Sequence, residues 1–100
     1  MTQGLRGVYS AVATPFTADQ DVDEAGLRTL IDRTIGGGVH GLVPCGSTGE
    51  FSALTRAERE RVVEIVIEQS AGRVPVVPQT GATSTLEAIA LSRHAEKLGV

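Results

Sequence analysis

The sequence predicts an α/β protein in which short strands and amphipathic helices alternate. Three apolar runs of strand length are each followed by a small-residue loop and then by a stretch with helical periodicity. Each helical stretch begins near a residue that caps helices well. Three consecutive βα units of this kind argue for a parallel sheet.

The first unit begins with a strand predicted over residues 8–13, which stops at Thr14-Pro15. Asp23 can cap the helix that follows, and Gly36-Gly37-Gly38 ends it, as glycine commonly does at helix C-termini. Its buried stripe follows the i, i+3, i+4, i+7, i+8 pattern and consists of Leu27, Leu30, Ile31, Thr34 and Ile35.

The second unit has a strand over residues 41–44 and then the second exit loop, residues 45–50. Thr55 and Glu58 form a capping box that opens the next helix. Its apolar stripe consists of Val62, Ile65, Val66 and Gln69. The charged residues are expected on the opposite, solvated face; they are Glu58, Arg59, Glu60, Arg61, Glu64 and Glu68.

The third unit repeats the pattern with a strand over residues 74–78 and the third exit loop, residues 79–83. A second capping box is predicted between Ser84 and Glu87. The helix buries Ala88, Leu91, Ala95 and Leu98, and Gly99-Val100 is interpreted as the start of a further strand.

Right-handed crossovers between neighbouring strands would place all three helices on one face of the sheet. Parallel sheets are almost always covered on both faces, so the opposite face needs a cover. A doubly wound sheet would supply it with helices, and a barrel would turn that face into its interior. Both architectures remain open at this point, and we expect the chain as a stand-alone fold to be incomplete.

Composition excludes several classes of function. The net charge is −3 and the pI is near 5.3, which argues against nucleic acid or an acidic membrane as a partner. No apolar run is long enough to cross a membrane, and residues 1–6 lack the apolar core of a signal peptide, so a cytoplasmic location is expected. One cysteine and two distant histidines make an internal disulfide impossible and a metal site unexpected.

The second exit loop is the candidate site, because it follows a predicted strand and combines two glycines with two hydroxyls. Gly46 and Gly49 allow a close backbone approach, while Ser47 and Thr48 can donate to an anion. On its own, such a loop is more often a plain turn. It lacks the Lys-Ser/Thr pair of a Walker-type phosphate loop. Lys97 is the only lysine available as an amine nucleophile.

Several short motifs in one order and spacing point to a family. Together they resemble the N-terminal third of the dihydrodipicolinate synthase and N-acetylneuraminate lyase family, and they cover essentially the whole chain. The motifs are Thr14-Pro15-Phe16, the helix start at Asp23, Gly38-Val39-His40-Gly41-Leu42, Gly46-Ser47-Thr48-Gly49-Glu50, Leu54-Thr55, Glu58-Arg59 and Thr80-Gly81. The resemblance implies a (β/α)8 TIM barrel, with residues 1–100 as its first three βα units and the N-terminal portion of a single domain.

The resemblance also implies class I aldolase chemistry without a cofactor. In this family a lysine forms a Schiff base with pyruvate, and the resulting enamine attacks an aldehyde such as aspartate semialdehyde, a step of lysine biosynthesis. By resemblance, Thr48 matches the position that binds the pyruvate carboxylate, and Ser47 matches a proton-relay hydroxyl. Gly46, Gly49 and Glu50 complete the carboxylate loop; for Glu50 a structural role, bonding loop amides, is favoured over a catalytic one.

The family's Schiff-base lysine and relay tyrosines lie beyond residue 100, and neither Lys97 nor Tyr9 replaces them. This chain alone is therefore expected to be inactive, and the parent enzyme is expected to be a homotetramer or homodimer. Arg56, Arg59 and Thr83 replace residues of lysine-inhibited members, which argues against feedback by lysine.

Phe51 and the third exit loop depart from the usual synthase pattern, so an N-acetylneuraminate lyase or a keto-deoxy sugar acid aldolase or dehydratase is the alternative. The alternative from another class is a non-catalytic fragment, or a binding or assembly module. Such a module would be either a small doubly wound domain or a piece that complements a partner chain.

Overall fold

The structure, a computed structural model, describes residues 4–100; residues 1–3, part of the N-terminal stretch considered above, lie outside the described residues. It confirms the alternation of strands and helices for the first two units. In chain order the elements are β1 (Tyr9–Ala11), α1 (Glu24–Gly36), β2 (Gly41–Val43), a 3-10 helix (Phe51–Ala53), α2 (Arg56–Ser70) and α3 (Thr85–Lys97).

The two strands are parallel, with Tyr9 opposite Gly41 and Ala11 opposite Val43. Both are shorter than predicted, since β1 covers three residues of the run 8–13 and β2 ends before Pro44. The parallel sheet itself is confirmed.

The third strand segment, residues 74–78, forms only a single bridge to β2, so the prediction of a regular third strand is wrong. Leu42 N–H donates to Pro75 O at 3.0 Å, and Val77 N–H donates to Leu42 O at 2.8 Å. Gln79 N–H also reaches Pro44 O at 3.0 Å, but Pro44 has no N–H with which to complete the next pair. Pro75 lacks a donor at the other end of the segment. The segment therefore runs beside β2 in parallel without a full ladder.

The helix starts follow the predicted capping. Asp23 Oδ1 accepts from Gly26 N–H at 2.9 Å, and the Thr55–Glu58 box is complete, with bonds of 3.1 and 2.8 Å. The second box is only half formed. Ser84 Oγ accepts from Glu87 N–H at 3.2 Å, whereas the Glu87 carboxylate faces Arg56 at 3.6 Å instead of returning to the cap.

The core lies between the strands and the helices. α1 packs against α2, and α2 packs against α3, in the order that crossovers of one hand predict. Leu42 of β2 lies in this core with no exposed surface. The other buried apolar residues of the main cluster are Val12, Leu27, Ile31, Cys45, Leu54, Val62, Val63, Ile65 and Val66. Of the stripes predicted, Leu91 and Ala95 of α3 are also buried.

Charged side chains on α2 join the three helices. Arg61 Nη2 lies 2.8 Å from Glu24 Oε1 of α1, and Glu64 Oε2 lies 2.9 Å from His94 Nε2 of α3. The hydrogen bond to His94, reinforced by Arg61, lowers the pKa of Glu64. These side chains are partly exposed, as predicted for a solvated face. Arg59 is the exception: it is 5% exposed, and its placement on the solvated face is wrong.

Neither histidine is near the other. His40 is exposed, and its Nδ1 accepts from Val8 N–H at 2.9 Å. His94 lies on the side of α3 that faces α2. Among residues 4–100, no helix is both long enough and apolar enough to cross a membrane.

Candidate functional site

The second exit loop leaves the carboxyl end of β2 and folds back on itself. Cys45 and Glu50, at its two ends, have left-handed backbones with φ of 61° and 58°. Glu50 N–H donates to Ser47 O at 3.0 Å, and Phe51 N–H donates to Gly46 O at 3.3 Å. The loop is thus a closed turn that places Ser47 and Thr48 at its tip.

Gly49 anchors this turn to the end of β1. A Cβ atom on Gly49 would lie 2.9 Å from Val12 O and 3.1 Å from Cys45 N, so no side chain fits there. The buried hydroxyl of Thr14 donates to Gly49 O at 2.7 Å. The close approach that this glycine permits is therefore to the protein's own backbone. Gly46 is under less constraint, because its Cβ would meet only Gln79 Cγ, at 3.5 Å.

The polar side chains at the tip point away from the core. Ser47, Thr48 and Glu50 are exposed, and the hydroxyls of Ser47 and Thr48 make no hydrogen bond to other residues within 4–100. The Glu50 carboxylate makes no hydrogen bond to other residues within 4–100. Its αL backbone turns the side chain outward, into a depression of about 410 Å³ that is also lined by Phe16 and Gln20.

Cys45 is buried beneath the turn, where it serves as a small core residue. It is 1% exposed, and its Sγ donates to Arg59 O at 3.7 Å. Burial raises the pKa of the thiol, and the nearby Arg59 charge only partly opposes this effect. A thiol with a raised pKa is a poor nucleophile at neutral pH.

We expect Cys45 to resist alkylation in the folded protein. Little of the thiol is ionised at pH 7, and a reagent cannot reach it without opening the core. The measurement is the rate of modification by iodoacetamide with and without urea. Modification in the native state as fast as in urea would contradict this placement.

Arg59 is the site residue that sequence reasoning missed. Its Nη1 donates to Gly81 O at 2.8 Å, and its Nη2 donates to Gln79 O at 2.9 Å, both in the third exit loop. The guanidinium also stacks over the Phe51 ring, 5.1 Å from the centroid. A signal was present: Arg59 precedes Val62 by three residues and so continues the buried stripe of α2.

The remaining candidates lie elsewhere. Thr80 Oγ1 accepts from Ser92 Oγ of α3 at 2.9 Å, so this hydroxyl bonds to a helix of the protein itself. Lys97 is the last residue of α3, at the opposite end of that helix from the third exit loop. The Tyr9 ring lies against Gly41, at the start of β2 rather than at its carboxyl end. Within residues 4–100, no three His, Cys, Asp or Glu side chains are grouped to hold a metal ion.

Comparison with known proteins agrees with the motifs. The profile of the dihydrodipicolinate synthetase family matches residues 4–100. A 4-hydroxy-tetrahydrodipicolinate synthase from Phenylobacterium zucineum is 52% identical over 95 residues, which is 95% of this chain and 32% of that protein.

Two solved structures extend the comparison. A prophage protein of the dihydrodipicolinic acid synthase family from E. coli K12, in complex with pyruvate, superposes with a TM-score of 0.90 and 44% identity. The match covers 94% of this chain and 32% of the prophage protein's chain. The CdNal protein from Clostridium difficile, in complex with mannosamine, gives a TM-score of 0.94 at 32% identity, over 97% of this chain and 34% of its own. The chain thus spans about a third of the length of these relatives. It belongs to the dihydrodipicolinate synthetase family.

Proposed function

We propose that residues 1–100 form the first three βα units of a (β/α)8 barrel, the N-terminal portion of a single domain. The whole protein would be a pyruvate-dependent Schiff-base aldolase of the dihydrodipicolinate synthase type. The observation that carries the proposal is the second exit loop of a chain of this family. It is an anchored turn at a strand's carboxyl end, and its two hydroxyls make no hydrogen bond to other residues within 4–100. Active sites of (β/α)8 barrels lie at that end of the strands.

In this proposal Thr48 holds the pyruvate carboxylate through its hydroxyl and the backbone N–H groups around it. Hydroxyl and amide donors bind a carboxylate without neutralising it, and such bonds to a charged group are stronger than neutral ones. Ser47 supplies the relay hydroxyl. Gly46 and Gly49 shape the turn, and Glu50 completes it at the edge of the site. The Thr14–Gly49 bond and the tight packing at Gly49 support a turn that is already formed before the substrate arrives.

The chemical step needs an amine that residues 4–100 do not place near this loop. A lysine elsewhere in the whole protein would add to the ketone of pyruvate and release water, which gives an imine. Loss of a methyl proton then gives an enamine, whose carbon attacks the aldehyde. The loop described here would keep the carboxylate fixed while this carbon reacts.

Aspartate semialdehyde is the proposed second substrate, because the named relative with 52% identity is a 4-hydroxy-tetrahydrodipicolinate synthase. A sugar-acid lyase or aldolase is the second candidate. It is favoured by the structural match to CdNal in complex with mannosamine. The outward Glu50 and the Gln79-containing third exit loop would then lie where a longer, hydroxylated substrate extends.

The test is reductive trapping with pyruvate and borohydride. The whole protein should gain the mass of one reduced pyruvate on a lysine outside residues 1–100, and residues 1–100 alone should gain none. Replacing Thr48 with valine should weaken pyruvate binding by about 1.5–3 kcal/mol, because a hydrogen bond to a charged group is lost, while Thr48→Ser should retain it. Trapping on Lys97, or equal trapping by Thr48→Val at low pyruvate, would refute the proposal. Pyruvate consumption with aspartate semialdehyde or with amino sugars distinguishes the two candidates.

A further inference from the structure

The second and third exit loops touch each other as well as β2. Gln79 N–H donates to Pro44 O at 3.0 Å, directly before the second exit loop. The Gln79 side chain lies beside Gly46, within ordinary contact of a Cβ built there. A shift of the third exit loop would therefore displace the turn that carries Thr48.

Arg59 is the side chain that holds both loops. Through its two terminal nitrogens it binds the third exit loop at the carbonyls of Gln79 and Gly81. Through its stacking on Phe51 it contacts the residue that closes the second exit loop. Its own carbonyl accepts from Cys45 Sγ, so its backbone also supports that loop from below.

The energetics of Arg59 are unusual for a residue with only a packing role. It is 5% exposed, yet no carboxylate within residues 4–100 forms a salt bridge with it, and its Nε has no hydrogen-bond partner there. Burying an unpaired charge is costly, and an apolar side chain of similar length would cost less. A planar fork of donors is, however, well suited to holding two carbonyls in a fixed relation.

We propose that Arg59 is a positioning residue for the keto-acid site. By tying the carbonyls of Gln79 and Gly81 to α2 while it packs on Phe51, it fixes the spacing of the two exit loops on which Thr48 depends. This inference rests on the proposed function, since it assigns Arg59 a task in the same site. Arg59 acts through the loops and does not touch the substrate.

The experiment compares pyruvate KM and kcat in the whole protein and in its Arg59 variants. Arg59→Met removes the donors and the charge but keeps the length of the side chain. We expect roughly a tenfold rise in pyruvate KM and a smaller fall in kcat, because two bonds to a charged donor are lost and the turn is misplaced. Arg59→Lys keeps the charge without the fork and should remain impaired.

Arg56→Met is the matched control. Arg56 lies in the same first turn of α2, and its ion pair with Glu87 joins α2 to α3 without contacting either exit loop. Its loss should leave pyruvate KM unchanged. A merely structural role for Arg59 would lower the melting temperature and the folded yield, with KM unchanged in the folded fraction, and that result would overturn the inference.

If neither Arg59 variant folds, Phe51→Leu tests the inference instead. This substitution removes the stacking of Arg59 on the Phe51 ring and keeps the bonds from Arg59 to the carbonyls of the third exit loop. A raised pyruvate KM supports the inference, and a wild-type KM overturns it. A wild-type protein that traps no pyruvate refutes the proposed function itself. Trapping by the wild type, together with a wild-type KM in Arg59→Met, refutes only the role of Arg59.

Discussion

Replacing Gly49 with alanine is expected to lower the free energy of unfolding by about 2 kcal/mol and to displace the second exit loop. The added Cβ would lie 2.9 Å from Val12 O and 3.1 Å from Cys45 N. Both atoms belong to the backbone, so neither can rotate away as a side chain would. Relief requires movement of the turn, which would also stretch the 2.7 Å bond from Thr14 to Gly49 O.

Denaturant unfolding followed by circular dichroism measures this effect, and Gly36→Ala is the control. Gly36 is exposed at the end of α1, and a Cβ there meets nothing within 4 Å. Alanine at Gly36 should be neutral or stabilising by up to about 1 kcal/mol, because it favours the helix. Equal midpoints for the two variants would mean that Gly49 does not contact β1 as described.

Leu42→Ala is expected to destabilise the protein more, by about 3 kcal/mol. Leu42 has no exposed surface, and its backbone bonds to the third strand segment while β2 pairs with β1. The substitution removes apolar contacts and leaves a cavity between the strands and the helices. The backbone bonds hold the strand in place, so the site cannot collapse easily around the smaller residue.

Leu86→Ala is the matched control, because it is the same substitution at a leucine that is 81% exposed. Its effect on the unfolding free energy should be within about 0.5 kcal/mol of zero. The same denaturant titration compares the two variants. A loss at Leu42 no larger than at Leu86 would contradict the core described here.

Local signals predicted most of the architecture. The spacing of Leu27 and Ile31 placed α1, and Asp23 and Thr55 marked helix starts, because periodicity and capping depend on neighbouring residues alone. The incomplete hydrogen-bond ladder between β2 and the third strand segment could not be predicted in this way. It depends on Pro44, which directly follows β2, and on which side of the segment each N–H faces.

The candidate site was predicted in part. Its loop and its tip residues were found because Gly, Ser and Thr after a strand form a local pattern. The burial of Arg59 was not predicted. Its charge indicated an exposed position more strongly than its place on the helix indicated a buried one, and the carbonyls that it binds lie about 20 residues away. The outward turn of Glu50 follows from its φ of 58°, which nothing in a glutamate predicts.

The prolines of the third strand segment, residues 74–78, limit the hydrogen bonds that its outer edge, the side away from β2, can offer. Pro75, Val77 and Gln79 direct their backbone groups toward β2, so Val76 and Pro78 direct theirs outward. Pro78 has no N–H, which leaves Val76 as the outward donor between residues 75 and 79. A strand of another molecule that paired with this edge would find one N–H donor instead of a row of donors. Few pairing registers would therefore be stable. We therefore expect this edge to resist aggregation while the chain is being synthesised.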